Sequence, residues 1–351
     1  MSLGVISKYR GELMGFAILI VMLFHVPVLR SSNWYGLVRM GNLGVDIFFF
    51  LSGIGLWYSW SKMHESSSEA GQGRSFLSML RHFYFNRGKR IYPAWLIIAG
   101  YFYVSRFNFA QATTDSWINL LGQVFFNWNF WRFDELTFWY VPATMMLYVF
   151  APFYMELVRR NDSFRWLVAL PLMWCIIVQY VTPIHQAVGH IEIFWSRVPI
   201  FFLGINIAES VRQKKLLKGT TWWLVTLFFI VSLASCVWLE QMRHGKFPLY
   251  VERMLYIPLA ITTILIMAEV FRRVEESHFS IFNLQPSIFN RFFTFVGGIS
   301  LEIYLIHIQF VMNPLLKYHL GYWCTFLLTF AISVPIAWIV SKVSSWIIKR
   351  L

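Results

Sequence analysis

The stretch that decides the fold is MGFAILIVMLFHVPVL, Met14 to Leu29. It follows Lys8 and Arg10, contains no Asp, Glu, Lys or Arg, and ends at Arg30 and Ser31. A helix that crosses a bilayer needs roughly 20 predominantly apolar residues, and a span drawn from 13 to 30 comes close to that. A basic start before an apolar run is also the layout of a secretory signal peptide. No small-residue cleavage site precedes Ser31, so the run reads as an uncleaved first span.

The rest of the chain repeats this pattern. Of 351 residues, 58% are hydrophobic and only 13% charged, against about 45–50% apolar in an ordinary soluble domain. This excludes a soluble globular enzyme, a disordered chain and a disulfide scaffold. It leaves no room for a sizeable domain outside the membrane. Further apolar segments fall at 43–61, 91–108, 136–157, 165–183, 194–209, 222–240, 250–271, 292–313 and 321–347. The expectation is an all-α integral membrane protein of about ten transmembrane helices, with residues 1–351 forming one transmembrane domain. The apolar stretch 117–131 is short and rich in amides, and reads as interfacial or re-entrant. Met63 to Ser75 is the clearest loop. No internal repeat or linker is evident. Cys175, Cys236 and Cys324 lie far apart in apolar runs and read as small core residues.

The net charge of +13 would suggest nucleic acid in a soluble protein. Here Lys and Arg flank apolar segments, as topology-setting charges do, so no nucleic-acid partner is expected and membrane lipids are the surroundings. With the N-terminus in the cytoplasm, alternating spans put 21 of the 30 basic residues inside, among them Lys8, Lys62, Arg74, Arg87, Arg159, Arg212, Lys215, Arg272 and Arg350. Arg30, Arg39, Arg106, Arg132, Arg197, Arg243, Lys246, Arg253 and Lys317 fall outside. That bias predicts both termini in the cytoplasm.

Ionisable groups within spans cost about 2.5–3.5 kcal/mol for an Asp at a helix centre, so those present carry the functional signal. His25 lies about twelve residues into the first span, roughly 18 Å along at 1.5 Å per residue. Asp46 opens the second span, and Glu302 and His307 lie in the ninth. His25, Asp46 and His307 are therefore expected at comparable depth on three helices. A lone buried histidine is ordinarily a satisfied core residue. Two at one depth beside a carboxylate suit a general base whose tautomer the carboxylate fixes, or a proton relay in a transporter.

A second signal is RHFYFNRGKRIYP, Arg81 to Pro93, which sets Arg87, Lys89 and Arg90 among aromatic residues. It reads as a positive-inside anchor or as a phosphate-binding cluster, since guanidinium forks match phosphate geometry. His185, His190 and Glu192 have a faintly metal-like spacing but read as a solvated loop, so no metal site is expected.

Several segments occur in a recognisable order: GFAILIVMLFH ending at His25, GVDIFFFLSG (Gly44 to Gly53), RGKRIYP (Arg87 to Pro93), FWYVPATMMLYVFAP (Phe138 to Pro152) and ISLEIYLIH ending at His307. Together they resemble the bacterial integral-membrane acyltransferase family 3, which O-acylates cell-surface polysaccharides. The resemblance runs from about residue 8 to 348. It implies a multi-pass enzyme of the bacterial cytoplasmic (inner) membrane that takes an acyl group, most simply acetyl, from cytoplasmic acyl-CoA. The acceptor would be a hydroxyl of an extracytoplasmic polysaccharide or its lipid-linked precursor. His25 matches the family's catalytic histidine, with Asp46 or a neighbouring polar group expected to orient it, in direct transfer or through an acyl-histidine. Arg87 and Arg90 match the arginine pair that handles the donor, with Lys89 a weaker candidate. Ser52, Trp139, Tyr148, Tyr304 and His307 match the remaining motif positions and are expected along the substrate path. The acyl-CoA is a substrate, and no permanently bound cofactor is implied.

One position departs from the family. An Arg usually stands eleven residues before the histidine, where this chain has Met14. Arg10 lies one turn earlier on the same helical face and is the candidate substitute. The rival from another class is a proton-coupled transporter or flippase of a polysaccharide intermediate, using His25, Asp46 and His307 as its relay.

Overall fold

The computed structural model describes residues 2–69, 75–276 and 286–350. Among them the structure is helical, with β-type pairing limited to an isolated antiparallel bridge between Ser2 and Leu216. The helices that matter here are α1 (Arg10–His25), α2 (Leu43–Glu69), α3 (Phe76–Trp95), α4 (Tyr140–Arg160), α5 (Ala169–Tyr180), α6 (Val198–Arg212), α7 (Gly219–Arg243), α8 (Leu249–Glu276), α9 (Pro286–Gly298), α10 (Ser300–Ile306) and α11 (Tyr322–Arg350).

A helix falls on each of the ten apolar stretches. Among the described residues, six helices have the length and hydropathy to cross a membrane: Tyr35–Ser66, Tyr140–Arg160, Asp162–Tyr180, Gly219–Arg243, Leu249–Glu276 and Tyr322–Arg350. Two further candidates are bent pairs, Thr182–Trp195 with Val198–Arg212 at 44° and Ile288–Gly298 with Ser300–Leu316 at 61°. The chain is thus a multi-pass membrane protein with six to eight spans by this measure. The shortfall from ten has a physical origin. α1 has only 16 residues, and α3 carries its arginines within the helix.

α1 stops where it does because Pro27 disfavours helical geometry in the residue before it. Val26 is extended, with φ −67° and ψ 123°. His25 is therefore the last helical residue. At the other end, the basic segments gather. Leu3 N–H donates to the Lys215 carbonyl at 2.9 Å, Lys8 pairs with Glu275 at 2.9 Å, and Arg212 pairs with Glu65. The Tyr322 hydroxyl donates to the Leu23 carbonyl at 2.9 Å, so α11 starts beside the histidine end of α1. Its 29 residues then run about 43 Å at the helical rise, which brings the C-terminus back toward the basic end.

The tightest packing is between α1 and α9. A Cβ on Gly15 would lie 2.1 Å from the Phe293 carbonyl oxygen, and one on Gly297 would lie 2.0 Å from that of Gly11. Only glycine lets the two backbones meet this closely.

Three expectations change. α2 runs through the predicted loop as far as Glu69, while Arg74 lies outside the described residues. The 117–131 stretch forms two short helices, Thr114–Phe126 and Trp128–Phe133, broken at Asn127, which has φ 47°. Cys175 and Cys236 are buried, but Cys324 is exposed on α11 rather than a core residue.

Candidate active site

His25 is held by two contacts. Its Nδ1 lies 2.8 Å from the Val21 carbonyl oxygen and 3.3 Å from Nε2 of His307. A carbonyl only accepts, so Nδ1 of His25 carries the proton. The same logic applies to His307, whose Nδ1 is 2.9 Å from both the Ile303 and Tyr304 carbonyl oxygens. Its Nε2 is then a lone pair facing His25. The chain is directional: His307 accepts from His25, and Nε2 of His25 is left unprotonated, without a partner among the described residues. The two rings cross edge-on with centroids 5.1 Å apart. His307 is fully buried and begins a π-helical turn, His307–Met312, a local widening that is frequent at functional sites.

Asp46 does not join this pair. It is buried in the first turn of α2, and its Oδ1 lies 3.9 Å from Nε of Arg197, which is also buried. The expected carboxylate partner of His25 is replaced by His307. Depth along a helix was legible in the sequence, but the side of the helix was not. Asp46 faces α6, whereas His25 faces α10.

Two cavities flank this point. The first, about 220 Å³, is lined by Arg10, Arg87 and Arg90 with Ser52, Tyr140, Tyr148 and Met14. No carboxylate pairs with these arginines among the described residues. Arg87 donates to the Ser59 hydroxyl at 2.9 Å, and Arg10 makes only a long contact, 3.4 Å, to the Leu51 carbonyl. Arg10 thus lines the same cavity as Met14. Lys89 is not part of this wall; its ammonium sits 4.4 Å from the Phe85 ring.

The second cavity, about 470 Å³, is lined by His25, Arg39, Asn42, Arg253, Gln309, Phe138 and Trp139. Val21, Val45 and Tyr304 belong to both walls, so one layer of side chains separates the two spaces. Tyr304 is fixed in that layer, its hydroxyl accepting from Tyr140 N–H at 3.1 Å.

Around the second cavity lies a buried ionic network. With its amide oriented to satisfy both neighbours, the Asn42 oxygen accepts from Arg197 at 3.1 Å and from Arg253 at 2.7 Å. Arg253 faces Glu192 at 3.9 Å and Arg39 faces Glu240 at 3.6 Å. These three arginines had been counted as outside charges, and their place beside His25 was missed. The clue was available: Arg197 and Arg253 sit within SRVPIFF and VERMLYIP, too apolar for loops. His190 bonds the Trp131 carbonyl at 3.0 Å, and no group of three metal-binding side chains lies together among the described residues. Phe125, Phe126 and Trp131 line a separate groove with Arg87. The aromatic wall of the histidine cavity comes from Phe24, Phe138 and Trp139.

The pattern of the acyltransferase 3 family, described as an acyltransferase domain, matches residues 13–342. No curated protein and no solved structure matches the chain.

Proposed function

The chain belongs to the acyltransferase 3 family, and from that premise we propose that it is an O-acyltransferase working between its two cavities. Acyl-CoA, with acetyl the simplest donor, is held by its phosphates on Arg10, Arg87 and Arg90. The thioester end reaches toward Val21, Val45 and Tyr304. A hydroxyl of a cell-surface glycan or its lipid-linked precursor enters the histidine cavity from the far side. Nε2 of His25 takes the hydroxyl proton as the oxygen attacks the thioester carbonyl. Collapse breaks the C–S bond, and the departing sulfur takes the proton back from His25. Ester and free CoA thiol are the products. While His25 is charged, its Nδ1–H donates more strongly to Val21 and to the His307 lone pair, which stabilises the imidazolium.

The observation that carries this reading is the 2.8 Å contact of His25 Nδ1 with the Val21 carbonyl, which assigns the proton to Nδ1 and leaves Nε2 free, one layer of side chains from three arginines without a salt-bridge partner among the described residues. The rival relay through His25, Asp46 and His307 keeps its His25–His307 contact at 3.3 Å and lacks a contact from either histidine to Asp46 among the described residues. The full topology belongs to the same reading: ten crossings of a bacterial cytoplasmic membrane, with the basic end and both termini in the cytoplasm. The test is thiol release from acetyl-CoA by the full chain in nanodiscs, with crude surface glycan as acceptor. Glycan-dependent release that His25→Ala abolishes is expected; release unaffected by His25→Ala overturns the assignment. Reporter fusions at Leu351 and within 184–193 should report opposite compartments.

A further inference from the structure

Attack on a thioester carbonyl puts a negative charge on its oxygen, and preorganised donors aimed at that atom ordinarily supply a large part of catalysis. If donor and acceptor approach from the two cavities, they meet at the side-chain layer common to both, Val21, Val45 and Tyr304. Neither valine side chain can donate a hydrogen bond. The other hydroxyls of the donor cavity line that wall alone, and the arginines and amides of the histidine cavity line the other alone. Tyr304 is the polar side chain that both spaces share.

Its hydroxyl is half used. Tyr304 is buried, 8% exposed. The hydroxyl oxygen accepts from Tyr140 N–H at 3.1 Å, and no acceptor for the hydroxyl proton is found among the described residues. A buried phenol ordinarily finds one. The N–H it accepts from opens α4, whose flanking residue Trp139 provides no side-chain cap. Val141 and Ala143 return their N–H groups to the Phe138 and Trp139 carbonyls at 3.1 Å each, and Pro142 has none. The hydroxyl therefore takes the free N–H at the positive end of a 21-residue helix. Hydrogen bonds in a chain polarise one another, so accepting this bond makes the hydroxyl a stronger donor.

The surroundings fix that donor relative to the base. The Tyr304 carbonyl accepts from Nδ1 of His307 at 2.9 Å, and Nε2 of His307 lies 3.3 Å from Nδ1 of His25. On the other side, the chain enters α4 through Phe138 at φ 57°. This left-handed conformation is unfavourable for a bulky residue and clusters at active sites, and Phe138 lines the histidine cavity. We infer that Tyr304 is a further catalytic residue, its hydroxyl donating to the thioester carbonyl oxygen and holding the oxyanion. As the acceptor O–C bond forms, the carbonyl π pair moves onto that oxygen while His25 holds the acceptor's proton. On collapse the pair returns, the C–S bond breaks, and sulfur takes the proton from His25. Tyr304 keeps its own proton throughout. The inference rests on the acyltransferase reading and adds the group that reading lacks.

The experiment uses the full chain in nanodiscs. Tyr304→Phe keeps the ring and should lower kcat for glycan-dependent thiol release from acetyl-CoA about 10²–10³-fold. The donor KM should stay within about twofold, the pattern of a contact made only in the transition state. Because the hydroxyl also caps α4, a second readout separates donation from packing. S-acetonyl-CoA carries a ketone that cannot be cleaved; labelled with ¹³C, its bound C=O stretch is read by infrared difference spectroscopy. The stretch should lie at lower frequency in the unaltered protein than in Tyr304→Phe. Tyr304→3-fluorotyrosine, which keeps the cap and the shape with a more acidic hydroxyl, should lower it further. A stretch identical in the unaltered and 3-fluorotyrosine proteins, or a folded Tyr304→Phe variant that loses less than tenfold in kcat, overturns the inference while leaving the transferase reading intact. Absence of acetyl-CoA binding and thiol release in the unaltered protein overturns that reading, and the inference with it.

Discussion

The two cavities beside His25 are both lined by arginine, yet the arginines are set in opposite ways. In the smaller cavity Arg10, Arg87 and Arg90 come together with no carboxylate in salt-bridge contact among the described residues, Arg87 bonding the Ser59 hydroxyl and Arg10 reaching the Leu51 carbonyl at 3.4 Å. In the larger one Arg197 and Arg253 are tied to Asp46, Glu192 and Asn42. Clustered cations with no carboxylate in salt-bridge contact cost free energy that an anionic ligand would offset, as the proposed donor requires. Compensated, buried ions hold a wall in shape and are costly to break. On the proposed reading the first set meets the donor and the second is scaffold, with Arg39 at its accessible edge.

That contrast can be broken experimentally. The largest effect belongs to the base: His25→Ala should lower glycan-dependent transfer by about 10²–10⁴-fold, with an unchanged elution profile and helix content. Retention of more than a tenth of the activity would falsify its role as general base. Asp46→Ala should instead act on stability, costing about 3–5 kcal/mol because buried Arg197 loses its carboxylate and keeps only the neutral Asn42 and Ser196. Its signature is a lowered unfolding midpoint in detergent, with near-normal turnover per folded molecule; a folded but inert variant would return Asp46 to the chemistry. Arg10→Ala and Arg87→Ala should each raise the acyl-CoA KM, losing about 1.5–3 kcal/mol of phosphate contact, or roughly ten- to a hundredfold, with little change in stability. The double variant should fall short of the sum, since both act on one ligand. Lys89→Ala, whose ammonium rests on an exposed ring, should change the donor KM by less than about twofold.

These outcomes also measure what the sequence could disclose. Hydropathy placed a helix on every apolar stretch, because burial in lipid leaves the backbone no other option. The pairing of His25 with His307 was legible as two imidazoles at one depth. That Arg10 and Met14 share a helical face was legible from their spacing, and both line one cavity. What failed was anything that depended on azimuth. Asp46 has the right height and the wrong face. Arg39, Arg197 and Arg253 look like topological charges until the fold turns them inward. The fit of the single side-chain layer between the cavities has no linear signature, since Val21, Val45 and Tyr304 come from three separate helices.

The glycine contact between α1 and α9 has a consequence for the spacing of the two imidazoles. His25 ends α1, and His307 follows α9 through the bend into α10. Backbone meets backbone at Gly15 and Gly297 with no compressible side chain between. The junction therefore behaves as a hard stop in a machine tool: it sets how near the rings can come, some 15–21 Å further along α1 at 1.5 Å per residue. Catalytic groups tolerate misplacement of only about 0.5 Å. One methyl group added at Gly297, remote from both rings, would shim the helices apart and open the His25–His307 contact. Detuning of this enzyme would then arise from added carbon at a distance as readily as from loss of a catalytic side chain.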